Sequence, residues 1–230
     1  EARQAPAMSL VVGSKRGDPF AIASPRGAGA SSESESAPVH RLVAELTPPA
    51  AWETIQAYAA DQVGEAEADR GPRRTVAVHE RYQRYTAWCA TRGHTGVELV
   101  IATAVWQPVG PSADAERVAL EPNIVPYHVA AGIEHWVLWY HPQHTGGTSD
   151  LDSDRLLDHL RLFLPSLTPN EVIAFQNLPQ FRSVPQMAHA HVFLRPRSDT
   201  TFRALAILRV ERRIRSPWAE AERGNQSWQN

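Results

Sequence analysis

Two histidines stand two residues apart in the run Ser183-Val184-Pro185-Gln186-Met187-Ala188-His189-Ala190-His191-Val192-Phe193, which otherwise reads as a buried strand. Side chains alternate between the faces of a strand, so His189 and His191 share a face with Met187 and Phe193. Ala188, Ala190 and Val192 line the opposite face. A sheet that contains this segment carries two imidazoles on one surface and small apolar groups on the other. Each imidazole adds polarity and a titratable charge to a surface that would otherwise be apolar, and that marks a site without naming a reaction.

The 230 residues, 43% hydrophobic with a net charge of -2, suit one sizeable domain with tails. So balanced a charge speaks against a protein held to nucleic acid by electrostatics. Cys89 is the single cysteine, which rules out an internal disulfide and a cysteine metal cluster, and its setting reads as a buried, inert thiol. No segment reaches the roughly 18 apolar residues needed to cross a bilayer, so a soluble protein is expected. The chain starts at Glu1 rather than Met. Read as a processed start, this predicts an organellar location, chloroplast or mitochondrion, with the cytoplasm as the alternative.

Residues 1–44 read as a low-complexity tail, 45–210 as one α+β domain and 211–230 as a polar tail. The stretch Ser14 to Pro38 is rich in Gly, Ala, Ser and Pro and cannot fold alone. Trp52, Ile55, Ala59 and Val63 recur at helical spacing, and a second helix is predicted from about Val76 to Ala90, with Tyr82, Tyr85 and Cys89 on one stripe. Val97 to Trp106 reads as a strand, Pro108 to Glu116 as a loop, and Ile124–Val129 and Ile133–Tyr140 as extended segments. Leu156, Leu157, Leu160, Phe163 and Leu164 give a helix capped by Asp150 or Ser153, and Val172–Phe175 a strand before the histidine strand. Phe202 to Val210 forms a last apolar segment. The expected fold is α+β: helices first, then a mainly antiparallel sheet with one packed helix.

Three clusters can carry chemistry: Asn123 to His128, Glu134 to Trp139, and Asn177 to His191. His135, between Glu134 and Trp136, fits a structural role as well as a site. His189 and His191 can each be a core histidine satisfied by Asn177, Ser183 or backbone carbonyls. A metal held by His189, His191, His135 and Glu134 is conceivable, but spacing alone does not support it, and neither metal nor cofactor is predicted.

The ordered islands N-x-x-P-Y, E-H-W-V-L-W, F-Q-N-L-P-x-x-x-S-V-P and H-A-H-V-F resemble a family of domains of unknown function found in fungi and algae. That family includes the fungal N-acetylglucosamine-induced proteins, and the resemblance covers roughly residues 45 to 210. The chain is more distantly similar to the histidine-triad nucleotide hydrolases and transferases, which implies a histidine-triad-like sheet. Under that resemblance His189 falls on the family's nucleophile and His191 on its last histidine, while Met187 stands where the first histidine would be. Ser183 matches the serine run, and Asn123, Tyr127, His135 and Asn177 become ligand-binding candidates. The missing first histidine and the missing glycine turn weaken tautomer control and the phosphate cradle.

Two functions follow. The first is a non-catalytic accessory subunit of a larger, organellar assembly, docked to other protein subunits through residues 1–38 and 211–230. The second is a hydrolase or transferase of a nucleotide or sugar phosphate with His189 as nucleophile or base, aided by His191 and Ser183. Neither calls for nucleic acid or a membrane span.

Overall fold

The computed structural model describes residues 42–43, 48–61, 72–112, 114–143, 153–177, 182, 184 and 186–215. Both tails beyond these limits, the charged segment after Asp61, the cap at Asp150, and Ser183 and Pro185 lie outside the described residues.

Helix α1 spans Trp52–Asp61 and α2 Val76–Thr91. The Thr75 hydroxyl accepts from the Val78 N–H and caps α2, and Gly93 takes a φ of 69° just beyond its end, a left-handed turn that suits glycine. The short strands β1, Leu42–Val43, and β2, Arg74–Thr75, pair in parallel ahead of α2.

The segment from Val97 is helical, not extended. Helix α3 spans Gly96–Thr103 and starts in a reciprocal cap. The Thr95 hydroxyl accepts from the Glu98 N–H, and the Glu98 carboxylate accepts from the Thr95 N–H at 2.8 Å. Two otherwise orphaned donors are thus satisfied, and this outweighs the β-branched character of Val97, Val100 and Ile101.

Strands β3 (Gln107–Pro108), β4 (Arg117–Pro122), β5 (Glu134–Tyr140), β6 (Val172–Phe175) and β7 (His189–Leu194) form an antiparallel sheet in the order β3-β4-β5-β7-β6. Ile124–Val129, expected as extended, supplies only an isolated bridge from Val129 to Ala50 and otherwise loops back across the sheet. Helix α4 spans Ser153–Arg161, and α5, Asp199–Arg215, runs past position 210. The architecture is therefore α+β with an antiparallel sheet.

The sheet is covered on both faces. On one, Leu120, Leu138, Ala190, Val192 and Leu194 pack with Leu156 and Leu160 of α4 and Leu205 of α5. On the other, Ile173, Phe175 and Phe193 meet Trp52, Ile55 and Ala59 of α1, while Tyr85, Cys89 and Leu99 join α2 to α3. The alternation of β7 falls as its sequence requires: alanines into the first core, histidines toward the helices of the second face.

Candidate functional site

Strand β7 lies between β5 and β6, paired with β5 along its length and with β6 from His191 on, and its register sets His191 opposite Val137 and His189 opposite Trp139. On the same face β5 carries His135, which is buried, as are His189 and His191. An open space of about 680 Å³ lies between this face and helices α2 and α3, within the usual range of small-molecule sites. His189, His191 and Asn123 line it.

The hydrogen bonds assign the protons. The Tyr127 backbone N–H donates to His135 Nδ1 at 3.0 Å, so a neutral His135 carries its hydrogen on Nε2. That nitrogen lies 2.9 Å from His191 Nδ1 and donates to it. His191 then carries its own hydrogen on Nε2, 2.9 Å from the Asn177 amide. The two ends of that amide exchange by a half-turn, and the oxygen end is the one that accepts here. Asn123 fixes its amide by accepting the Val125 N–H through Oδ1. Its Nδ2, 3.1 Å from Nε2 and 3.5 Å from Nδ1 of His135, is too near both nitrogens to lie in the ring plane and rests over the ring face.

His189 is oriented differently. Its Nδ1 lies 2.8 Å from the Met187 carbonyl, which can only accept, so Nδ1 donates and the lone pair sits on Nε2. Among the described residues no hydrogen bond reaches that Nε2. His191 has both ring nitrogens engaged; His189 keeps one available.

Burial first, and then the charge of Arg74, hold His135 well below the usual histidine value. Burial, then His135, His189 and Arg74, do the same for His191. Burial chiefly lowers His189, the Met187 carbonyl works against it, and Arg182 lowers it further. All three rings are therefore neutral at pH 7. Arg74 is itself buried, donates through Nε to the Val125 carbonyl at 3.0 Å, and lies over the Tyr127 and Tyr82 rings. Arg182 donates to the Asn177 carbonyl at 2.8 Å. Two guanidinium groups thus face a cluster of uncharged imidazoles, a field that suits an anion.

Of the residues singled out in the sequence, His189, His191 and Asn123 border the cavity. His135, Tyr127 and Asn177 stand behind them: Tyr127 stacks on His135 with ring centroids 4.8 Å apart, and Asn177 anchors His191. Ser183 lies outside the described residues. Arg74 and the Met187 carbonyl are additions. No local signal marks Arg74, because the loop bearing Val125 that receives it is 51 positions away. The carbonyl is invisible to a reading of side chains. Trp139 borders the cavity, whereas Trp136 lies in the core. Among the described residues no three His, Cys, Asp or Glu side chains gather closely enough to hold a metal.

The fold and site define an antiparallel α+β domain with a histidine-floored cavity. The chain belongs to the family described as protein of unknown function (DUF3605), whose model matches residues 52–195, from the first residue of α1 to just past β7. Among solved structures, the crystal structure of HTC1 is similar at 22% identity and a TM-score of 0.45, over 68% of this chain and 93% of that one. No curated protein matches the chain.

Proposed function

We propose that this chain is a hydrolase or transferase of a phosphate-bearing small molecule, with His189 Nε2 as nucleophile. One observation carries the reading: the Met187 carbonyl holds the hydrogen of His189 on Nδ1 and leaves the Nε2 lone pair beside a cavity. In the proposed reaction Nε2 attacks phosphorus, an N–P bond forms, and the bond to the leaving group breaks with its electron pair going to that group, which takes up a proton. Water then attacks phosphorus, splits the N–P bond and restores neutral His189 with release of a proton. The Nδ1–H bond to the carbonyl stabilises the positive charge the ring acquires, and the Arg74 charge favours the anionic substrate.

The resemblance to histidine-triad enzymes agrees with this assignment, and a methionine in place of the first histidine does not count against it. The group that orients His189 is a backbone atom, which any residue at position 187 supplies. The accessory-subunit reading retains its basis in the composition of the two termini, and the same experiment separates the two. The chain is incubated with phenyl phosphate carrying labelled phosphorus and quenched in base, which preserves phosphohistidine. The expected result is label on His189, absent from His189→Asn. Absence of label, with no turnover above the uncatalysed rate, refutes the enzyme reading; turnover equal in the two proteins refutes His189 as its nucleophile.

A further inference from the structure

Resting on the reading above, we infer that the substrate is amphiphilic: its phosphate meets His189, and a hydrocarbon group without a hydrogen-bonding edge fills the α2–α3 side of the same cavity. A phosphate needs only a small part of 680 Å³, so most of the space awaits another moiety. That remaining wall is made by Tyr85 and Cys89 of α2, Val97 and Val100 of α3, and Val137 and Trp139 of β5. The spacings of four on α2 and three on α3 turn each pair to one side of its helix, toward the histidine face.

Among the polar side chains of the cavity Gln186 is solvent-exposed, and the threonines of this wall are already engaged. The Thr86 hydroxyl donates to the Tyr82 carbonyl at 2.8 Å, and the Thr103 hydroxyl to the Leu99 carbonyl at 2.7 Å. The Thr95 hydroxyl donates to Glu98, and Tyr85 and Cys89 sit one turn apart on α2. Burial keeps the Tyr85 phenol and the Cys89 thiol uncharged. Bordering charges are paired within the protein: Arg212 Nε lies 3.3 Å from Glu121, and Arg209 binds Glu134. A sugar's hydroxyls, or the edge of a base, would be buried against a mainly apolar wall whose threonine donors are spent, and an unpaired buried polar group is unfavourable. A hydrocarbon loses nothing there and gains by leaving water.

The test is calorimetric titration of the unmodified chain with n-alkyl phosphates from methyl to hexyl, set against adenosine monophosphate and glucose 6-phosphate. The dissociation constant should fall by about fourfold per added methylene until the space is filled. Hexyl phosphate should bind more tightly than either polar phosphate. Val100→Phe should end the gain at a shorter chain while leaving methyl phosphate unaffected. Equal affinity along the series, tighter binding of adenosine monophosphate than of hexyl phosphate, or an unchanged series in Val100→Phe each overturns the inference. If n-alkanols bind as well as the matching phosphates, the hydrocarbon subsite stands and the phosphate chemistry at His189 falls. The two readings therefore fail separately.

Discussion

Acid should unfold this protein through His135 and His191, by an amount that follows from their burial. Both are held well below the ordinary value of 6.5, chiefly by burial. A histidine lowered in the folded state binds its proton more readily when unfolded. The stability it allows is therefore fully present above 6.5 and is lost as pH falls below it, until the folded value is passed. Each such ring removes roughly 1.4 kcal/mol per pH unit in that window, so the pair removes about 2.7 kcal/mol by a pH of about 5.5. Against a total of about 5–15 kcal/mol for a domain, this is a large share. Urea unfolding at pH values from about 8 to 5.5 measures it, in a range above the titration of ordinary carboxylates. His191→Phe, whose new ring would meet Tyr127 and Phe175, should reduce the slope by about one proton. A wild-type slope below one proton per molecule between pH 6.5 and about 5.5 would refute the claim that these rings are buried neutral.

Three further outcomes follow. Met187→Leu should cost under about 1.5 kcal/mol and leave turnover unchanged, because the carbonyl that orients His189 remains; turnover lost at normal stability would assign the role to the thioether instead. Thr95→Ala should lower unfolding free energy by about 1 kcal/mol through loss of the α3 cap, and an unchanged urea midpoint would contradict that cap. The buried Glu171 carboxylate accepts from the Arg197 and Ser198 N–H groups and from Thr168. Glu171→Ala should therefore cost at least about 3 kcal/mol in thermal or urea unfolding, with Glu171→Gln intermediate.

Much of the scaffold is legible in the sequence wherever the controlling interaction is local. The period of two in His189–Val192 sets both faces of β7, Val172–Phe175 reads as a strand, and the stripe through Tyr85 and Cys89 marks α2. Helix α3 is misread because Val97, Val100 and Ile101 favour strands, and the reciprocal cap at Thr95 and Glu98 has to be weighed against them. Strand β4 escapes notice because Val118-Ala119-Leu120 is buried throughout and shows no alternation. The proton arrangement is out of reach for another reason. His135 and His191 are 56 positions apart and meet only through the register of β5 on β7. Likewise the orienting partner of His189 is a main-chain oxygen, which no choice of residue advertises.

The placement of β7 between two strands has a consequence for how such a site can diversify. His189 and the Met187 carbonyl that orients it sit at the entry to a strand whose later residues, from His191 on, are paired on both sides, so their placement depends on the sheet. The helices that close the cavity make their own caps and a small contact cluster of their own, so they can change sequence without disturbing strand register. Under the proposed function, reactivity and selectivity are carried by separate elements. Exchanging α2 and α3 between relatives should transfer substrate preference and leave the histidine chemistry where it is.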